Sequence, residues 1–394
     1  MDTATARALL RWLQGQDAAM TRLLGQLVAA ESPSSDAAAQ ARVRALLAAE
    51  LRALGLRVRS IPGGSAGDHL LAVPVGRARH VPAQLLLGHL DTVWPRGTLA
   101  TIPFTAEPER YTGPGVLDMK AGLVQAIYAL AALRALRLAP TVTPVVFVNS
   151  DEEIGSASSE PWIRRLARLA IRALVLEPAF GPRGALKTAR KGVGEFRVRI
   201  IGRAAHAGLN PEAGLSAILE LSHQVQRLFA LNDPGRGITV NVGTIDGGLR
   251  PNVVAPEASA VVDVRVPTVE AGREVEAAIR GLTPVQSGLT VEVEGGMERP
   301  PLEPTPRNQA LWRCAVAAAA ALGIELEQAA VGGASDGNLT SLYTATLDGL
   351  GPVGDGAHAV HEYAERGRLA ERAALLALLV LSPAACGSEE EGAR

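Results

Sequence analysis

The chain reads as an α/β protein in which a mostly parallel sheet is sandwiched by helices and an α+β domain is inserted into it. Three observations carry that reading. Four short runs of continuous apolar residues (HLLAVPV, QLLLGHL, PVVFVNS and ALVLEP) alternate with helix-like segments, the pattern of strands buried on both faces. Near residue 190 the period changes to two: GEFRVRIIG sets Phe196, Val198 and Ile200 against Glu195, Arg197 and Arg199, and SAVVDVRV sets Val262, Val264 and Val266 opposite Asp263 and Arg265. Such alternation belongs to a sheet with one face buried and one face wet. From Pro306 the buried pattern returns, so one domain comprises 1–189 and 302–394, with 190–301 inserted.

Taken in order, the first 55 residues are helical, with apolar residues at helical spacing through ARALLRWLQG, MTRLLGQLVAA and ARVRALLAAELRAL. SPSSD, Ser32 to Asp36, breaks that run and offers Asp36 or a nearby serine as an N-cap. The first two apolar runs follow, then a helix through LDMKAGLVQAIYALAALRAL, then the other two runs. Within the inserted domain Glu212 to Leu231 and Thr268 to Arg280 are helix-like. LWRCAVAAAAALGI and a closing helix, Arg366 to Leu381, complete the outer domain, and GSEEEGAR is a disordered tail.

At roughly one domain per 100 to 200 residues, 394 residues suggest two domains. A net charge of -1 with interspersed charges points away from nucleic-acid and membrane surfaces and toward small-molecule partners. Arg7, Arg11 and Asp17 interrupt the apolar N-terminus, so it lacks the core of a signal peptide. No run approaches ~18 uninterrupted apolar residues; the nearest, AALLALLVLSPAAC, reads as a buried helix. Cys314 and Cys386 have no metal-type spacing and argue against a disulfide framework, which places the chain in the cytoplasm. Lysine occurs only at 120, 187 and 191, so nearly all positive charge is arginine.

Asp151, Glu152 and Glu153 follow PVVFVNS where a buried strand would end. Three adjacent carboxylates repel one another, and a divalent metal is the strongest candidate to hold them; a solvated acidic loop is the alternative. Ligand sites in parallel sheets gather beyond the carboxyl ends of strands. The rule selects His89 and Asp91 after QLLLG, Asp118 after GPGVL, Asp151 to Glu153, and Glu177 after ALVL. Each alone has a plain reading as a buried histidine, an N-cap or a loop charge, but four together point to metal. Mixed imidazole and carboxylate suits zinc, cobalt or manganese better than calcium. Asp91 can orient the His89 ring, Asp118 can bridge two metals, and Glu152 and Glu153 can divide the roles of ligand and base.

GHLDTVW, GPGVLDMKAG, NSDEEIGS, LEP, GRAAHAG, NVVAPEASAVVDVR and GGASDGN…GPVGDGAHAVHEY together resemble the two-zinc carboxypeptidase and deacylase family. That family includes glutamate carboxypeptidase, aminoacylase, acetylornithine deacetylase and succinyl-diaminopimelate desuccinylase, and the resemblance runs in the family's order from about residue 20 to 380. It implies a zinc exopeptidase-like catalytic domain, an inserted lid and dimerisation domain, and a homodimer formed through the latter. It implies two Zn2+, for which Co2+ or Mn2+ can substitute: one held by His89, Asp118 and Glu177, the other by Asp118, Glu153 and His358. Glu152 resembles the general base and Asp91 the partner of His89. His358 is preferred to His361 because the family's ligand lies four residues before the glutamate of an EY pair, here Glu362-Tyr363.

His206 matches a histidine that in relatives stabilises the oxyanion, often in the partner subunit's site. Asn252, Arg265 and Arg299 match positions that bind the substrate carboxylate, although Arg265 alternates onto a wet face and Asn252 sits in a turn-like segment. Gly333, in the GGASDGN loop, is expected to line the pocket through its backbone. GRAAHAGLNPEAG departs from the family only in its small-residue turn. The implied activity is hydrolysis of an amide beside a free carboxylate, in a peptide or N-acyl amino acid. Glu177 and LDGLGPVGDGAH favour a glutamate-type carboxypeptidase over an N-acyl amino acid deacylase. A non-catalytic scaffold would have lost a ligand or the base, and none is missing; a nucleotide-binding protein would need a glycine spacing that GPGVLDMKAG lacks.

Overall fold

The computed structural model describes residues 2–76 and 81–386. The tail GSEEEGAR lies outside the described residues. The chain divides into two compact units, Met1–Thr188 with Pro304–Ala330 and Ser335–Arg394, and Ala189–Glu303 with Val331–Ala334.

In chain order the first unit contains α1 (Thr3–Gln14), α2 (Asp17–Ala29), α3 (Gln40–Ala53), β1 (Leu56–Ile61), β2 (His69–Pro74), β3 (Ala83–His89), β4 (Thr105–Ala106), β5 (Arg110–Thr112), α4 (Ala121–Ala135), β6 (Thr143–Asn149), α5 (Glu160–Leu169) and β7 (Ala170–Val175). After β8 (Leu186–Arg190) the second unit holds β9 (Gly192–Ile201), α6 (Ala217–Phe229), β10 (Thr239–Gly247), β11 (Glu257–Val266), α7 (Val269–Arg280) and β12 (Thr290–Arg299). The chain returns through α8 (Pro306–Leu322), β13 (Gln328–Val331), α9 (Asp336–Thr340), β14 (Ala345–Leu347), β15 (Gly354–Asp355), β16 (Tyr363–Glu365) and α10 (Arg366–Leu381).

The central sheet has the order β1-β2-β6-β3-β7-β14, with β6, β3, β7 and β14 parallel. HLLAVPV departs from the expected parallel arrangement, for β2 runs antiparallel to both β1 and β6. The connection from β1 is the short loop 62–68, too brief for a parallel crossover, so the pair forms an antiparallel edge. Alternate residues of the buried strands feed two layers. Leu85, Leu87, Val145, Phe147, Ala173 and Val175 pack with Ile163 of α5, while Leu86, Val146, Val148 and Leu174 pack with α4, α8 and α10.

Helix α4 is apolar all round and nearly all of it is buried, as a helix at the centre of a core must be. Val116–Ala135 is long and apolar enough to cross a membrane, but 83% of that window lies inside the protein. Among the described residues it is the one helix that passes by length and mean hydropathy, although Asp118, Lys120 and Arg134 interrupt it. Gly122 lets α4 approach the sheet, since a Cβ there would lie 2.3 Å from the Leu176 carbonyl.

At the amino ends of the strands, buried Arg172 donates to the Gln84 side chain and to the carbonyls of Ser382, Pro383 and Cys386. Gln84 in turn donates to the carbonyls of Val142 and Val380. Burial pushes the Arg172 guanidinium down to about 10. Cys314 and Cys386 form a disulfide there, with Cα atoms 6.0 Å apart. This corrects the expectation against disulfide bonding: the cysteines lie 72 residues apart, and only the docking of the segment after α10 beside α8 brings them together.

The second unit is a four-stranded antiparallel sheet, β10-β11-β9-β12, with α6 and α7 against it. Phe196, Val198, Ile200, Val262, Val264 and Val266 form its core, as the alternation predicts. Strand β10 is an edge, and Ile218, Leu219, Ile245 and Leu249 are exposed.

Candidate metal centre

The site lies beyond the carboxyl ends of β3, β6 and β7. Strand β3 ends at His89, whose ring is 1% exposed; Nε2 stands 3.2 Å from Asp118 Oδ1 and 3.4 Å from Glu177 Oε1. His358 approaches from the loop before β16, with Nε2 3.0 Å from Glu153 Oε2 and 3.5 Å from Asp118 Oδ2. Asp118 therefore faces one imidazole with each oxygen, the arrangement a bridging ligand needs. The ligand atoms of His89, Glu152 and Glu177 lie within 4.8 Å of one another, as do those of His89, Asp118 and Glu153.

The three adjacent carboxylates do not act alike. Asp151 turns away, accepting from the Ser158 and Ser159 amides and the Ser158 hydroxyl, which brace the turn bearing Glu152 and Glu153. Asp91 holds the same turn from the other side, accepting from the Glu152 and Glu153 amides at 3.3 and 3.2 Å and from Ser34 Oγ at 2.7 Å. His89 Nδ1 lies 3.0 Å from the Asp91 backbone carbonyl and 3.5 Å from its carboxylate. Thus the expected pairing of Asp91 with His89 is made more closely through the main chain, while the Asp91 carboxylate positions the Glu152–Glu153 turn.

The titration pattern fits a cation site. Burial alone would lower His89, yet the carboxylates of Asp118, Asp91 and Glu177 hold it well above its usual value. Asp118 and Glu153 push His358 up to about 10. Burial would raise Asp118, but His358 and His89 keep it well below the usual carboxylate range. Glu153 is raised by burial, and its Oε1 is buried without a hydrogen-bond partner. The surrounding carboxylates thus favour positive charge at both imidazoles, and the orphaned Glu153 oxygen marks a place where a cation fits. Mixed nitrogen and oxygen donors suit a transition metal or zinc.

The remaining predicted residues lie in the second unit or at its border. His206 and Asn252 come together beyond the end of β9: Ala207 N donates to the Asn252 carbonyl, and His206 bridges Val253. Arg265 and Arg299 both register with Val193, near the start of β9. From Val193 to Ile201 the strand runs about 26 Å at ~3.3 Å per residue, so the two pairs occupy opposite ends of the sheet. Arg265 directs Nε and Nη2 onto Asp263, and Arg299 is 8% exposed. Gly333 accepts from Arg190 through its carbonyl, and a Cβ there would meet nothing within 4 Å. His361 is exposed, as expected.

Sequence reasoning missed Ser34, which lies in the SPSSD segment singled out only for capping. It also used Glu362 merely as a marker for His358. Glu362 is buried beneath the site, and nothing in the polar HEY stretch signalled that burial.

Residues 85–382 match the model of Peptidase family M20/M25/M40. Carboxypeptidase G2 of Pseudomonas sp. (strain RS-16) is 33% identical over 249 residues, which cover 63% of this chain and 60% of that protein. The chain thus spans less than two thirds of that relative's length. The aminopeptidase PepT of Bacillus cereus superposes with a TM-score of 0.78 at 21% identity, covering 93% of this chain and 98% of that one. The M20 family metallo-carboxypeptidase Sso-CP2 of Sulfolobus solfataricus gives 0.69 at 14% identity, covering 92% and 98%. These structures establish a common fold, and the family match across most of the chain makes this protein a member of Peptidase family M20/M25/M40.

Proposed function

We propose that the protein is a two-metal carboxypeptidase that hydrolyses an amide beside a free carboxylate, with glutamate-type substrates first. The observation that carries this reading is Asp118, which presents one oxygen to His89 and the other to His358, beside the unpartnered Glu153 Oε1. His89, Asp118 and Glu177 would hold one ion, and Asp118, Glu153 and His358 the other. When bound, such ions polarise a carbonyl and lower the pKa of water. Glu152 takes the proton from the attacking water on its carboxylate and returns it to the leaving amine. Asp91 keeps Glu152 and Glu153 apart in role by fixing their backbone.

Arg265 and Arg299 select the carboxylate, since a guanidinium fork matches it in both geometry and charge. Asp263 occupies the Arg265 fork in this conformation, so the substrate carboxylate must displace it. His206, with Asn252, stabilises the oxyanion. Their separation along β9 from Arg265 and Arg299 supports action in the partner subunit of a homodimer, as do the open edge of β10 and exposed Ile218, Leu219, Ile245 and Leu249.

The test is release of free amino acid from N-acyl amino acids and short peptides by zinc-loaded and cobalt-loaded protein. Cleavage confined to glutamate-terminated substrates supports the proposal. Release from simple acetyl amino acids would make the protein a deacylase, and no turnover with metal bound would make it a scaffold.

A further inference from the structure

Glu362 is 2% exposed, and its carboxylate is filled by four N–H donors. Oε1 accepts from the amides of Leu117 at 2.8 Å and Asp118 at 3.1 Å; Oε2 accepts from the Gly115 amide and the Trp94 indole, both at 2.9 Å. These donors belong to two different ligand loops. Trp94 follows His89 and Asp91, and Gly115 to Asp118 form the turn that presents the bridging candidate. Glu362 itself lies four residues after His358, and β16 pairs Tyr363 with Thr112 to bring the loops together. Gly115 adopts φ 71°, where a Cβ would lie 2.5 Å from the Thr92 side chain, so this turn is also packed tightly against the first loop.

We infer that Glu362 is a positioning residue, which joins the His89, Asp118 and His358 loops through one carboxylate and so sets the distance between the two metal positions. The inference rests on the two-metal reading. A carboxylate is needed because it alone accepts at both oxygens. In Glu362→Gln the amide nitrogen must face two N–H donors, either those of Leu117 and Asp118 or those of Gly115 and Trp94. Removing Trp94 deletes one donor and leaves the acceptor intact, so Trp94→Phe is the milder perturbation.

The test is calorimetric titration of metal-free, full-length protein with Zn2+, together with melting before and after loading. Wild type, Glu362→Gln and Trp94→Phe are compared, and Arg366→Ala serves as a control because it removes the Asp17 ion pair beside β16 without removing any donor to Glu362. For Glu362→Gln we expect zinc affinity to fall about 10- to 100-fold, as for other residues that orient metal ligands, with a smaller fall in Trp94→Phe. The rise in Tm on loading should shrink in both, whereas in Arg366→Ala it should stay at the wild-type value. Wild-type affinity and Tm increment in every folded variant at Trp94 and Glu362 would overturn the inference alone. Fewer than two ions bound by the wild type would overturn the two-metal reading and this inference with it.

Discussion

The two ends of the parallel sheet meet opposite electrostatic problems. At the carboxyl ends of β3, β6 and β7 the carboxylates of Asp118, Glu152, Glu153 and Glu177 crowd around His89, and Glu153 Oε1 is left without a partner. At the amino ends the buried charge is a single guanidinium, Arg172, surrounded by backbone carbonyls and the Gln84 amide. Carbonyls supplied by the chain satisfy the buried cation at one end, whereas at the other a buried carboxylate oxygen, Glu153 Oε1, has no hydrogen-bond partner. One end holds a satisfied cation, and the other is the candidate metal centre.

The largest effect should come from Glu152→Gln, the variant that breaks the reactive end without removing a proposed ligand. Turnover should fall by about 10²- to 10⁴-fold, the usual worth of a general base, while metal content stays at the wild-type level. Steady-state kinetics with elemental analysis measures both. Because Glu152 lies within ligand distance of His89 and Glu177, loss of metal in this variant would move it into the coordination sphere.

Arg172→Met attacks the end that holds the satisfied cation. It strands the Ser382 and Pro383 carbonyls and the Gln84 side chain, and at ~1–3 kcal/mol for each unsatisfied group the loss should be about 3 kcal/mol or more, read from the urea midpoint. Turnover of the folded fraction should be unchanged. A catalytic defect without loss of stability would erase the distinction between the two ends. Reducing Cys314–Cys386 should cost about 2–4 kcal/mol, again without affecting the metal site. Disulfides are rare in the cytosol. Thiol titration of protein isolated without reductant therefore discriminates the cytoplasmic expectation, two free thiols, from an oxidising compartment, none.

The smallest effect sharpens the comparison through pH. In the metal-free protein His358 is raised from 6.5 to about 10 by Asp118 and Glu153. A raised value means that its contribution to stability is fully present below pH 6.5 and is lost as pH rises through about 10. A ligand imidazole must be neutral, so zinc uptake near pH 7 should release protons and weaken as pH falls. Titration in two buffers of different ionisation enthalpy measures that release, and zero release would place His358 outside the coordination sphere.

The apolar runs made the central strands legible, because strands buried on both faces need no polar alternation. His89, Asp118, Glu153 and His358 were legible for a different reason: their chemistry is unusual at strand ends and in the motifs around them, and the structure brings these four together. The brace at the other end left no such trace. Arg172 reaches residues more than 200 positions away, and the contact depends on how the end of α10 docks rather than on any period in the chain. Asp91 was legible as a partner of His89, but its grip on the Glu152 and Glu153 amides was not, because backbone donors carry no residue type.

A bridging role for Asp118 is decided by the zinc content of reconstituted wild type beside Asp118→Asn. Wild type should hold two ions per chain and the variant should lose at least one, since the asparagine amide has one acceptor oxygen where two imidazole-facing oxygens stood. Two tightly bound ions in both proteins, or fewer than two in the wild type, would contradict that role.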